Sequence, residues 1–183
     1  MSGTSKKPRI LTISCSLTPD SKSAILAGEA SRLLQAQGLE AGLLDLRTVL
    51  LPMCDGDASY SHPEVKAIKK QIAQADAIIL AAPVYNFDLS ASAKNLVELT
   101  GSAWEDKVVG ILCAAGGRNG YMSPLGLVNS LMLDFRCHIV PRFVYADEDD
   151  FQDNVLVSEK VKNRVLELVN ATVRLAKGLA MAA

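Results

Sequence analysis

The sequence predicts an α/β domain in which one parallel sheet carries helices on both faces, a three-layer α/β/α sandwich. Three observations lead there. Short apolar runs rich in β-branched residues alternate five times with longer amphipathic stretches. The apolar middles of those runs are unbroken, as strands covered on both faces require. No repeat, low-complexity segment or linker interrupts the series. Parallel neighbours in one sheet need right-handed crossovers, normally helical, so such alternation places helices above and below the sheet. With 183 residues, 49% of them hydrophobic, the chain fits one domain spanning residues 1–183. A domain of this size buries about 70% of the surface its unfolded chain exposes, enough for a sizeable core. Residues 1–8 are expected to form a disordered tail.

The first strand is RILTISC, Arg9 to Cys15. A helix follows from Lys22 to Gln37 and stops at Gly38, the residue type that tolerates a left-handed cap. AGLLDLR reads as the second strand. In SHPE, Ser61 is placed as N-cap, Pro63 in the first turn and Glu64 three residues on, a capping box for a helix to about Ala75. The third strand is DAIILAAPV, Asp76 to Val84, with Pro83 marking its end. Ser90 to Leu99 is helical and stops near Gly101. KVVGILCAA is the fourth strand, Pro124 to Phe135 a helix, and HIVPRFVYA the fifth strand. The last helix begins near Ser158 and aligns Val161, Val165, Leu168, Val169, Thr172 and Leu175 on one stripe.

Charge and cysteine usage exclude whole classes of function. Nineteen basic residues face twenty acidic ones, and no dense Lys/Arg run is present, so neither nucleic acid nor an anionic membrane is an expected partner. The opening MSGTSKKPR is followed only by the short apolar stretch Ile10 to Ile13, too short for a signal-peptide core or a membrane span; a cytoplasmic location is expected. Cys15, Cys54, Cys113 and Cys137 show no CxxC spacing and no histidines at zinc-finger intervals. They read as small core residues, with no metal site.

In sheets of this type, ligands bind beyond the carboxyl ends of the strands, where the winding direction reverses. The loops after the first, third and fourth strands are therefore the candidates. SCSLTPDSKS crowds hydroxyls ahead of a helix N-terminus, whose unpaired amides attract anions. Ser16, Thr18, Ser21 and Ser23 can add donors and Lys22 a positive charge, with Asp20 opposed; Ser21 or Ser23 can equally serve as a plain helix cap. Neither GxGxxG nor GxxxxGK[ST] is present, so a classical dinucleotide fold and a triphosphate P-loop are not supported. In APVYNFDLSASAKN, Tyr85 and Phe87 offer rings at a strand's carboxyl end and Asn86 a hydrogen-bonding amide, either for a flat ligand or as a lid on the core. In AAGGRNGYMSP, Gly116 and Gly117 permit close backbone approach and Arg118 supplies a donor fork; a tight turn with a solvated arginine is the alternative.

Taken together, RILTISCSLTPDSKS, PVYNFDLSASAKN and GGRNG resemble the NADPH-dependent FMN reductases of flavodoxin-like fold, which include flavin, azo and quinone reductases. The resemblance covers nearly the whole chain. It implies strand order 2-1-3-4-5 and an FMN phosphate held by Ser16, Thr18, Ser21, Lys22 and Ser23. It places the flavin ring against Pro83, Val84, Tyr85, Asn86 and Phe87, with Gly116, Gly117 and Arg118 closing its pyrimidine side. It implies hydride transfer from NADPH to FMN and on to a small-molecule electron acceptor such as a quinone, an azo compound, free flavin or oxygen. No side chain need act as acid or base, since the flavin carries the chemistry. Arg118 is left with two roles, support of the reduced ring's negative charge or contact with the 2′-phosphate of NADPH.

The chain departs from the family pattern at several places. Cys15 stands where a glycine is common and Thr18 where a basic residue is common. Val84 and Phe87 replace the Glu and Gly of Pro-Glu-Tyr-Asn-Gly, and Ser90 replaces a proline. Lys94 and Asn95 match the family's Lys-Asn pair, expected to support their helix and the loop before it. Two other functions stay open. A flavodoxin-like electron carrier or non-catalytic flavin-binding module shares the fold, although such carriers are usually strongly acidic and this chain is at −1. A serine hydrolase is poorly supported, because GxSxG is absent and His62 and His138 read as structural. Trp104 is either a subunit contact or a packing residue. The resemblance implies a homodimer or homotetramer.

Overall fold

The computed structural model describes residues 7–182, and its central sheet is built on β1 (Arg9–Ser14). β1 pairs in parallel with β2 (Glu40–Asp45) on one side and with β3 (Ala77–Tyr85) on the other. β3 then pairs in parallel with β5 (Val108–Ala114). The edge beyond β5 is shared by two short strands, β6 (His138–Ile139) and β7 (Val144–Ala146). The strand order is the expected 2-1-3-4-5, with the fifth strand in two pieces. Every residue from Ala77 to Pro83 and from Val108 to Ala114 is buried, which explains the unbroken apolar runs.

Helices cover both faces. α1 (Lys22–Ala36) and α5 (Glu159–Ala182) pack on one side around Leu26, Leu34, Ile79, Val165 and Val169. α2 (Pro63–Gln74), α3 (Ala91–Thr100) and α4 (Leu125–Phe135) close the other around Ile13, Ile68, Leu96 and Leu131. The predicted stripe on α5 is the buried one, with Leu175 partly covered. Gly38 ends α1 at φ +67, where a residue with a Cβ is disfavoured; its amide donates to Gln35 O at 2.8 Å. Of the tail expected over residues 1–8, residues 1–6 lie outside the described residues. Pro8 is buried, and Lys7 Nζ donates to Gly38 O at 2.9 Å.

Four local expectations are corrected. The fifth strand is not continuous from His138 to Ala146. Pro141 has no amide proton to give the ladder, and Arg142 turns the chain at φ +65, so pairing stops after Ile139 and resumes at Val144. Ser61 does not cap α2. It closes a 3₁₀ turn (Ala58–Ser61), and because the helix begins at Pro63 the cap falls to His62, whose Nδ1 accepts from Glu64 N at 3.3 Å. The third strand does not stop at Pro83. It runs on to Tyr85, reverses through Asn86 and Phe87, both at positive φ, and pairs back with β4 (Asp88–Leu89) in a two-residue hairpin. Asn95 serves a different loop from the one expected. Its Oδ1 accepts from Cys54 N at 2.8 Å and its Nδ2 donates to Pro52 O at 2.9 Å, so it anchors the segment after β2.

Trp104 is a packing residue. It is fully buried, and its indole N–H donates to Thr100 Oγ1 at 2.7 Å, which satisfies the ring's one polar group inside the core. Trp104→Ala is expected to cost about 3–5 kcal/mol of stability, read from denaturant unfolding.

Candidate functional site

β1 and β3 are neighbours although β2 lies between them in sequence, so the chain reverses its winding direction here. Their carboxyl ends open onto a cleft of about 300 Å³. The first loop enters this cleft directly. Cys15 continues the β1 pairing through its amide to Ala81 O at 2.8 Å, and Ser92 Oγ donates to Cys15 O at 2.5 Å, tying the loop to the first turn of α3. Ser16 is buried behind it and its Oγ accepts from Thr18 N at 3.2 Å. Ser21 and Ser23 share a hydrogen bond of 2.9 Å between their hydroxyls, so neither caps α1, whose first turn also lacks an acidic residue. The plain-cap reading therefore fails. The amides that open this 15-residue helix meet no side-chain cap, and they stand at the cleft beside four hydroxyls.

Pro83, Val84 and Tyr85 form a second wall, and Ala114, Ala115 and Gly116 a third. Tyr85 lines the cleft and is 53% exposed. A Cβ built on Gly116 meets nothing within 4 Å, so the backbone there is bare toward open space. The third loop is held from behind by Tyr145, whose hydroxyl donates to Gly117 O at 2.5 Å and accepts from Gly120 N at 3.1 Å.

Of the residues singled out from sequence, Ser16, Thr18, Ser21, Lys22, Ser23, Pro83, Val84, Tyr85 and Gly116 line this one cleft. Asn86 and Phe87 stand outside it at the hairpin tip, Phe87 being 73% exposed. Gly117 and Arg118 flank the lining without joining it. Arg118 is 75% exposed, as a solvated arginine in a turn would be, and it is also paired: Nε donates to Asp147 Oδ2 at 2.9 Å and Nη2 to Asp149 Oδ2 at 2.8 Å. Sequence reasoning missed the acidic turn after β7, Asp147 to Asp150, and Glu148 lines the cleft. The four consecutive acids right after the fifth strand were the available signal, because a ligand-facing rim includes the carboxyl end of that strand too.

The cysteines take no chemical part in the cleft. Cys15 and Cys113 are fully buried, and burial pushes both thiols far above their ordinary range; Cys137 is pushed up to about 11 by the same cause.

A model of the NADPH-dependent FMN reductase family matches residues 8–151, and the chain belongs to that family. An NAD(P)H-dependent FAD/FMN reductase of Geobacillus thermodenitrificans is 30% identical over 130 residues, covering 69% of this chain and 70% of the relative. An NADPH azoreductase of Bacillus sp. is 30% identical over 66% and 69% of the two chains, and an NADPH:quinone oxidoreductase of Arabidopsis thaliana is 29% identical over 75% and 77%. Among solved structures, FerB, a flavoenzyme NAD(P)H:(acceptor) oxidoreductase from Paracoccus denitrificans, shares the fold with a TM-score of 0.76 at 18% identity, covering 93% of this chain and 98% of that one. The apo form of an NADH:FMN oxidoreductase, EMOB, gives 0.74 at 17% identity, covering 92% and 89%. The protein is an FMN-dependent NAD(P)H oxidoreductase of flavodoxin-like fold.

Two outcomes follow from the site's construction. Phe87 holds a left-handed conformation that costs a bulky residue free energy, so Phe87→Gly is expected to raise unfolding stability by about 1 kcal/mol in thermal or urea denaturation. In the native protein at pH 8, a thiol reagent is expected to label Cys54, which alone among the four is partly exposed, while Cys15, Cys113 and Cys137 react only after unfolding.

Proposed function

We propose that the cleft between β1 and β3 is the FMN site and that the enzyme passes hydride from NADPH through it to a small acceptor. The observation that carries this reading is the uncapped start of α1, which opens among Ser16, Thr18, Ser21 and Ser23 at the point where the sheet reverses. Unsatisfied helix amides and hydroxyl donors suit a phosphate. The bare backbone at Gly116 and the half-exposed Tyr85 suit a flat ring. When bound, FMN supplies the hydride chemistry.

The chain's own residues position and shield. The α1 amides and the serine hydroxyls would hold the phosphate, with Ser16 and Ser23 buried so that water competes little. Pro83, Val84 and Tyr85 would fix the plane of the ring, and the amides around Gly116 and Gly117 would face its polar edge, where donors favour negative charge. No basic or acidic side chain in the lining is needed as a proton carrier. Arg118, already committed to two carboxylates, acts in this reading as the brace of the third loop.

The acceptor is a quinone, an azo compound, free flavin or oxygen; relatives bearing reductase, azoreductase and quinone oxidoreductase names support that class. NADPH is the donor in this reading, supported by the family description. The reading includes a cytoplasmic location, supported by four free cysteines, and among the described residues no helix is long and apolar enough to cross a membrane. It also includes a homodimer or homotetramer, supported by large apolar side chains left exposed at Leu17, Leu50, Met53, Phe87, Met122 and Leu133. Light scattering on the purified protein checks the assembly, and a monomer would remove it.

An anaerobic visible spectrum of the protein mixed with FMN tests the central reading. The flavin band is expected to persist at the protein's elution position and to bleach when NADPH is added. Bound flavin that does not bleach would make the protein an electron carrier, and no binding in titration would remove the site. Replacing Ser16 and Ser23 together by alanine is expected to raise the FMN Kd about tenfold or more, since donor bonds to a charged phosphate are lost.

A further inference from the structure

Among the described residues Lys22 is the one cation in the cleft lining, and it is already paired. Its Nζ lies 3.2 Å from Glu148 Oε1, and Asp20 adds a second carboxylate to the same wall. The lining therefore carries two negative charges against one positive. A phosphate monoester brings roughly −1.5 to −2 more at neutral pH. Helix amides and hydroxyls attract it, while like charges at a few ångströms oppose it.

Glu148 is held in place by its own turn. The 3₁₀ segment Glu148–Asp150 carries a capping box, with Asp149 N donating to Asp147 Oδ1 at 3.0 Å and Asp147 N donating to Asp150 Oδ2 at 2.9 Å. Arg118 reaches the same turn from the third loop and pairs with Asp147 and Asp149. Asp147 itself is buried. The pair that Glu148 makes with Lys22 is weakly held, because the two side chains are 66% and 33% exposed and exposed ion pairs are weak; the turn itself is fixed by its capping box and the buried Asp147 rather than by the exposed Arg118–Asp149 pair. A rigid acidic turn thus delivers one loosely engaged carboxylate to the helix N-terminus that a phosphate would need.

Resting on the FMN reading above, we propose that Glu148 is a charge gate on the phosphate subsite. It holds Lys22 in the free protein, is displaced by the incoming phosphate, and sets the affinity for phosphorylated flavin lower than the serine cradle alone would allow. The gate acts on the phosphate and not on the ring. FMN and riboflavin share the ring and differ in the phosphate, so they separate the two contributions. The same turn also pairs with Arg118 of the third loop, so Lys22 and Arg118 both meet one acidic segment.

The test is the Kd of FMN and of riboflavin, each by flavin fluorescence without NADPH, for wild type, Glu148→Gln and Glu148→Lys. Glu148→Gln is expected to tighten FMN about three- to tenfold and leave riboflavin unchanged, with Glu148→Lys tightening FMN further. FMN affinity that is unchanged or weaker in both variants overturns the gate while leaving the FMN site standing. A parallel shift of both flavins also overturns it, by showing that Glu148 acts on the ring or on the fold. If neither flavin binds any of the three proteins, the FMN reading fails and the gate fails with it.

Discussion

The direct parallel pairing of β1 with β3 is the constraint on which the rest of the molecule depends. Because β2 is formed between them in sequence yet lies outside them in space, the crossover helices must leave on opposite faces. α1 packs on one side and α2 on the other. The loops after β1 and β3 lead to α1 and α3 on opposite faces and cannot fill the space between their strands, so a cleft opens at this point. Ser16 at the end of β1 and Pro83 near the end of β3 are brought into one wall by that topology alone.

The rigidity of the rim comes from bonds that the strands do not make. Ser92 ties the first loop to α3, Tyr145 ties the third loop to β7, and Arg118 ties the third loop to the acidic turn. Each links segments distant in sequence, and each lies behind or beside the cleft. The cleft surface is thereby left to backbone, hydroxyls, the Tyr85 ring and the charged side chains of Asp20, Lys22 and Glu148, which suits a cofactor that brings its own chemistry. The departures from the family pattern fit this arrangement. Cys15 is fully buried where glycine is common and so costs the cleft no space. Thr18 in place of a basic residue leaves Lys22 as the only lining cation among the described residues, and Phe87 in place of glycine puts a strained residue at the hairpin tip.

Charge at the rim is decided by neighbours that sequence distance hides. Lys22 and Arg118 read as free cations when each loop is considered by itself. In the folded chain both face the turn Asp147–Asp150, which arrives on the far edge of the sheet. The family model ends at residue 151, just past that turn, so the acidic segment lies within the matched region.

The alternation of apolar runs and amphipathic stretches, together with Gly38, Pro63 and the α5 stripe, was enough to determine the layers, the helices and most strand limits. Those are properties of periodicity and of single residues with narrow backbone preferences, so they are local and legible. Three loops on one rim were likewise legible, because parallel strands oblige all carboxyl ends to share an edge. Only the tertiary structure decided which hydroxyls cap and which face the cleft, that Asn95 braces the segment after β2, and that Trp104 is core rather than interface. It alone also decided that Glu148 meets Lys22. These depend on contacts between segments tens of residues apart, where burial, a missing amide proton at Pro141 or a left-handed turn at Phe87 sets the geometry, and no local pattern carries that information.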